Sequence, residues 1–177
     1  MTVIAPPKGL TLAMHPFKSG FGWVAFEGPF SPYDWGLVIA RREKNASCLR
    51  KLEKMLGRFL PDTLVLEVFD RRTSVRSDRI SNLCRAIVAL ATDRGVEVAI
   101  YSRGDVRACF ASVCAGTRQE IAEAVARHIA AFQHLLPEKR RPWDSEHRRM
   151  AIFAAGALVL THYQLGASRF LDGLGDP

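Results

Sequence analysis

The sequence has no apolar run near the ~20 residues that a membrane-spanning helix needs, so no stretch of it reads as a bilayer segment. Residues 1–9 lack a basic region followed by an apolar one, so they do not read as a secretory signal. Cysteine is scarce and scattered: Cys48, Cys84, Cys109 and Cys114 form no C-x-x-C pair and have no histidine at finger spacing. That pattern argues against a structural zinc site and a disulfide scaffold, and it points to a reducing cytoplasm. No repeat or low-complexity segment is present. Acid is in short supply: 18 Asp plus Glu stand against 25 Lys plus Arg, a net charge of +7 over 177 residues. Such a balance favours an acidic partner, with nucleic acid the first candidate. The length suits one domain with a substantial core.

What is present begins with strands. Leu10–Met14, Phe21–Phe26 and Trp35–Ile39 are short runs rich in apolar, aromatic and branched residues, separated by Gly, Pro and Ser. They predict an antiparallel meander. The period then changes, with Leu49, Leu52, Met55, Leu56 and Phe59 at helical spacing before Pro61. Thr63–Glu67 is almost continuously apolar, as a strand covered on both faces should be. A second helix is expected through Ile80, Leu83, Ile87 and Leu90, closed by Arg94-Gly95, and a fifth strand over Val96–Tyr101. Strand, helix, strand implies parallel pairing by right-handed crossover. Thr117-Arg-Gln-Glu120 matches a capping box and predicts a helix to about His128. Pro137–Pro142 reads as a basic connector, and Ser145 as the cap of a last helix from Glu146 to about Tyr163. The expected organisation is an N-terminal extension over 1–9, one domain over 10–163 and a flexible tail over 164–177.

In this order the elements resemble the ribonuclease H-like fold, and the motifs resemble the RuvC branch, the Holliday-junction resolvases. The stretches that carry the likeness are Leu12-Ala-Met-His15-Pro-Phe-Lys-Ser-Gly20-Phe-Gly22, Pro61-Asp-Thr-Leu-Val-Leu-Glu67, Gly116-Thr-Arg118, Asp144-Ser-Glu146-His147 and Ala157-Leu-Val-Leu-Thr-His162. The match runs in order over roughly residues 10 to 163. It implies an α/β domain: a mixed five-stranded sheet, three antiparallel strands then two parallel, with helices on both faces. It also implies nucleic acid as partner, DNA before RNA, phosphodiester cleavage by clustered carboxylates on two Mg²⁺ ions, and a symmetric homodimer.

The sequence departs from that pattern at the site. The bridging acid of the first strand is replaced by His15, and Ala154 stands where relatives place an acid in the last helix. A neutral imidazole brings no charge and no paired oxygens to two hard cations. Glu67 alone is unaltered, with Glu146, His147 and Asp144 as substitutes near the last helix. His147 and Ala154 are seven apart, a spacing that sets them on one helix face. Two readings follow. One is a fold that keeps its basic surface and has lost two-metal chemistry. The other is a rearranged site in which His15, Glu67 and Glu146 or His147 are catalytic, with Glu67, Glu146 and Asp144 as ligands of one ion or histidine as general base. Coordination chemistry favours the first. The sequence itself calls for no cofactor; Mg²⁺ or Mn²⁺ is implied only if the site cleaves.

Each residue also has a plainer explanation: a structural salt bridge for Glu67, a hydrogen-bonded strand histidine for His15, packing for His162, a loop ion pair for Asp70. Arg41, Arg42, Lys44, Arg50, Lys51 and Lys54 read as a solvated face. Arg71, Arg72, Arg76 and Arg79 flank the Glu67 strand. Lys139, Arg140, Arg141, Arg148 and Arg149 surround the start of the last helix. Convergence of these two segments, with Lys18 and Arg118, is the expected nucleic-acid surface. Phe17 and Trp143 are candidate stacking groups. Gly20 and Gly22 faintly resemble a phosphate loop. The actin-type ATPases with a similar core need acids beside the first turn and a second matching half, and neither is present.

Overall fold

The computed structural model describes residues 9–68 and 77–173, with side chains to 166. Three strands, β1 (Thr11–Phe17), β2 (Gly20–Gly28) and β3 (Ser31–Ile39), form the expected antiparallel meander. Helix α1 (Lys44–Phe59) leads to β4 (Thr63–Glu67), and α2 (Asp78–Asp93) leads to β5 (Glu97–Tyr101). β4 pairs parallel to β1 and β5 parallel to β4, giving the order β3-β2-β1-β4-β5. Pro32 is tolerated inside β3 because that strand is an edge and its pairing is bulged there. Gly95, at φ 71°, follows α2 as a left-handed terminator, as its position after Arg94 predicts.

The strand period of two divides the core. Leu12 and Met14 of β1, with Leu64 and Leu66 of β4, face Leu52, Leu56 and Phe59 of α1 and Leu83 and Ile87 of α2. Ala13 and Val65 point the other way, toward Phe132, Phe153 and Leu158. His15 and Glu67 are two residues further along the same strands, so they share that second face. It is covered by α4 (Arg118–His128) and α5 (Met150–Gly173). On this side Tyr101 bonds His162 at 2.8 Å, tying β5 to α5 and giving His162 its packing role.

Three expectations are corrected. Helix α3 (Arg103–Phe110) has no counterpart among the expected elements, because its only buried residue is Phe110 and it has no clear apolar stripe. The last helix starts at Met150, not Glu146. Its first amides bond carbonyls three residues back (Met150 to His147, Ala151 to Arg148, Ile152 to Arg149), while the Asp144 carboxylate is taken by the Arg141 amide in the preceding turn. Ser145 therefore stands ahead of the helix and not at its start, and His147 likewise lies ahead of it and not two turns below Ala154. At the other end α5 runs on to Gly173, past the helix end expected near Tyr163, with Tyr163 and Leu165 still packed on the core. A nucleated helix propagates through such a sequence at one hydrogen bond per residue.

Candidate nucleic-acid interface

The site arises where two strands part. The β1–β4 ladder pairs Thr11 with Thr63, Leu12 with Leu64 and Ala13 with Val65, then stops. Continuing that register by two residues sets His15 opposite Glu67, at the carboxyl ends of parallel strands, where open sheets place sites. His15 Nδ1 lies 3.5 Å from Glu67 Oε2, and both side chains are largely buried. The other carboxylate oxygen, Oε1, is 3.7 Å from Arg103 Nε.

Arg103 is placed by the end of β5. The Val68 amide bonds the Tyr101 carbonyl at 2.8 Å, holding the ends of β4 and β5 together. Ser102 then caps α3 in a reciprocal box with Asp105. Helix α4 opens in the same way: Thr117 accepts from the Glu120 amide, and the Glu120 carboxylate accepts from the Thr117 and Gly116 amides. Each cap is followed at once by an arginine, Arg103 or Arg118. Arg118 grips both oxygens of Glu146, at 3.0 and 2.9 Å.

The Glu120 carboxyl is held below its ordinary 4.5, first by the Thr117 amide, then by the Gly116 amide and the Thr117 hydroxyl. A carboxyl depressed by folding contributes stability above its unfolded value and loses that contribution as pH falls through its folded one. Acid should therefore loosen the first turn of α4 and release Arg118 from its position. A side-chain NMR titration of Glu120 is expected to show a midpoint below 4.5; a midpoint at or above that value contradicts the capping account.

Helix α5 closes the site from above through a missing side chain. Gly22 is the β2 partner of His15, and a Cβ on it would lie 2.4 Å from the backbone carbon of Ala151. Glycine lets the first turn of α5 rest directly on the strand beside His15.

Between these elements is a cavity of about 310 Å³. His15, Glu67, Glu146, His147, Lys18 and Arg118 all line it, so these residues, each a candidate from the sequence, do meet in space. Asp144 does not line it. Lys139, Arg140 and Arg141 stay outside on the exposed connector, where Arg140 bonds the Asp144 carbonyl and Arg141 sits over the Trp143 ring. Asp70, Arg71, Arg72 and Arg76 lie outside the described residues. The expectation for Arg79 is corrected: its guanidinium bonds the Phe17 and Lys18 carbonyls and Asn45, so it braces the β1–β2 turn and is not directed at a phosphate backbone. Arg103 and Arg107 also line the cavity, and neither is among the candidates from the sequence. Arg103 had a readable signal in the Ser102–Asp105 cap just after the strand beside Glu67.

The balance of charge is the chief electrostatic fact. Among the described residues Lys18, Arg103, Arg107, Arg118 and Arg148 face two carboxylates, Glu67 and Glu146, and each carboxylate is engaged by an arginine. Among the described side chains, helix α5 contributes Met150, Ala151, Phe153, Ala154, Ala157 and Leu158 to the lining, none of them acidic. Among the described residues no group of three His, Cys, Asp or Glu side chains is placed to hold a metal ion. A pair of Mg²⁺ ions asks for several anionic oxygens in octahedral array, and these donors do not fit it.

No protein-family model matches the chain, and neither does any curated protein. Solved structures do match. The sheet order and helix placement are those of the ribonuclease H-like class. Within that class the fold is the RuvC fold. A Thermus thermophilus RuvC structure aligns with a TM-score of 0.65 at 20% identity, over 90% of this chain and 96% of that one. T. thermophilus RuvC in complex with a Holliday junction substrate aligns over the same shares, with the same TM-score, at 16% identity. The yeast mitochondrial Holliday junction resolvase Ydc2 aligns at 0.59 and 14% identity, over 94% of this chain and 83% of that one. No described helix is long and apolar enough to cross a membrane.

Proposed function

We propose that this chain binds branched or structured nucleic acid, DNA before RNA, through a RuvC-like fold whose two-metal nuclease site has eroded. The observation that carries the reading is the charge of the cavity at the ends of β1 and β4. Among the described residues five cations line it, and the two carboxylates, Glu67 and Glu146, are each engaged by an arginine. Such a surface attracts phosphate oxygens and repels divalent ions. Lys18, Arg107 and Arg148 are the rim groups set to meet a backbone, with Arg118 behind its pairing to Glu146. Lys139, Arg140 and Arg141 extend the positive surface along the connector ahead of α5; Arg71, Arg72 and Arg76 belong to the proposal from sequence alone.

The competing reading is a metal-dependent endonuclease with a rearranged site on Glu67, His15 and His147 or Glu146, with Mg²⁺ or Mn²⁺ as cofactor. The 3.5 Å approach of His15 to Glu67 favours it. A guanidinium on the far oxygen of Glu67 weighs against it. A symmetric dimer is part of the proposal by analogy with resolvases, and free thiols, Cys114 exposed among them, suit a reducing compartment such as the cytoplasm.

Retention of a four-way DNA junction in a gel, titrated with KCl beside a linear duplex of the same length, tests the binding claim. The junction should be held more tightly, with log affinity falling linearly in log salt by about 0.9 per phosphate contact. Retention that ignores salt, or none for either DNA, contradicts it and leaves a protein-contacting scaffold as the better description.

A further inference from the structure

The cavity has a second character that a phosphate backbone alone does not use. Behind its cationic rim the wall is apolar: Val106 of α3, Ile121 of α4 and Met150 and Ala154 of α5 are only part-buried and expose hydrocarbon into the recess. Phe17, half-buried, lines it too. At about 310 Å³ it is large enough for a small molecule and at the low end of such pockets. A recess with one charged lip and an oily floor matches a ligand with one anionic end and one flat, weakly polar end.

We infer that the cavity receives a nucleoside monophosphate unit, base inward against the apolar floor and phosphate on the rim made by Lys18, Arg107 and Arg148. The inference rests on the nucleic-acid reading above and narrows it: the preferred substrate carries an unpaired nucleotide that can leave its stack. The apolar floor takes the base face, since every base has one and stacking or apolar contact is sequence-tolerant. Ser19 and His147, which also line the cavity beside His15, are polar groups that can bond a base edge. Extrusion costs least for an unpaired base, which turns the pocket into a reader of branch points and bulges.

Calorimetry with adenosine 5′-monophosphate, inorganic phosphate and adenosine at low salt tests the pocket. The nucleotide should bind at least about tenfold more tightly than either fragment. Ala154→Leu, which fills the floor from a helical position that accepts leucine, should weaken the nucleotide at least about tenfold, with circular dichroism confirming the fold. Nucleotide and phosphate binding alike, or an undisturbed nucleotide affinity in a folded Ala154→Leu protein, overturns the inference. To separate a free nucleotide from one in a strand, a junction with one unpaired adenosine is compared with its abasic twin. Tighter binding of the first assigns the pocket to an extruded nucleotide, and equal binding assigns it to the free one. Loss of junction retention altogether sinks the underlying nucleic-acid reading. A junction that is retained while free nucleotide binds no more tightly than phosphate or adenosine sinks only the pocket.

Discussion

Gly22→Val should lower the melting temperature by roughly 6–12 °C, the largest effect expected from any single substitution near the site. The clash is with backbone: a Cβ at position 22 would meet the Ala151 carbonyl carbon and oxygen at 2.4 and 2.5 Å, so no side chain can swing away. Forcing extra volume into such a place costs about 3 kcal/mol, and each kcal/mol moves a domain of this size by roughly 2–4 °C. Valine suits a strand by propensity, so a loss of stability isolates the contact. The consequence reaches function, because the helix displaced is the one that roofs His15 and forms the floor of the cavity. Gly57→Ala is the control. Gly57 lies in α1 with nothing within 4 Å of its would-be Cβ, and alanine there should stabilise by roughly 0.5–1 kcal/mol. Thermal melts of the two variants showing equal shifts would refute the account of how α5 is seated.

The second large effect belongs to the rim. Arg107→Ala combined with Arg148→Ala should weaken junction binding by about 10- to 100-fold at 0.1 M salt and flatten the salt dependence by about two counterions. Both side chains are exposed and line the cavity, and neither belongs to the Arg103–Glu67 or Arg118–Glu146 pairs, so their loss leaves those carboxylates compensated. Removing Lys51 and Lys54 from the solvated face of α1 should change binding far less. Fluorescence anisotropy across a KCl series reads both quantities. An unchanged slope in the rim variant places the DNA elsewhere on the surface.

How far the sequence led is clearest at β4. Its apolar run is bounded in sequence by Pro61-Asp62 on one side and an arginine-rich polar stretch on the other, and the strand occupies the expected five residues, Thr63–Glu67. The meeting of His15 with Glu67 was legible too, through resemblance alone, since the parallel pairing of β1 with β4 is seen only in the structure. What could not be read was pairing that depends on tertiary placement. Nothing local says that Arg103 will reach Glu67, or that Arg118 will grip Glu146 across 28 residues of chain. Asp144-Ser145-Glu146 carries the residue types of a helix cap, but the Arg141 amide competes for Asp144 and wins, so the helix waits until Met150. Gly22 was misleading in the opposite way. It resembled part of a phosphate loop, and its use is to let one backbone lie on another.

The most direct measurement is cleavage of an end-labelled four-way junction by the wild-type protein, at protein concentrations that saturate binding, with Mg²⁺ and separately with Mn²⁺. A cavity with paired carboxylates and an apolar helix face predicts a junction that is bound and left intact in both ions. Nicked product that appears with either ion and vanishes in Glu67→Gln would contradict it.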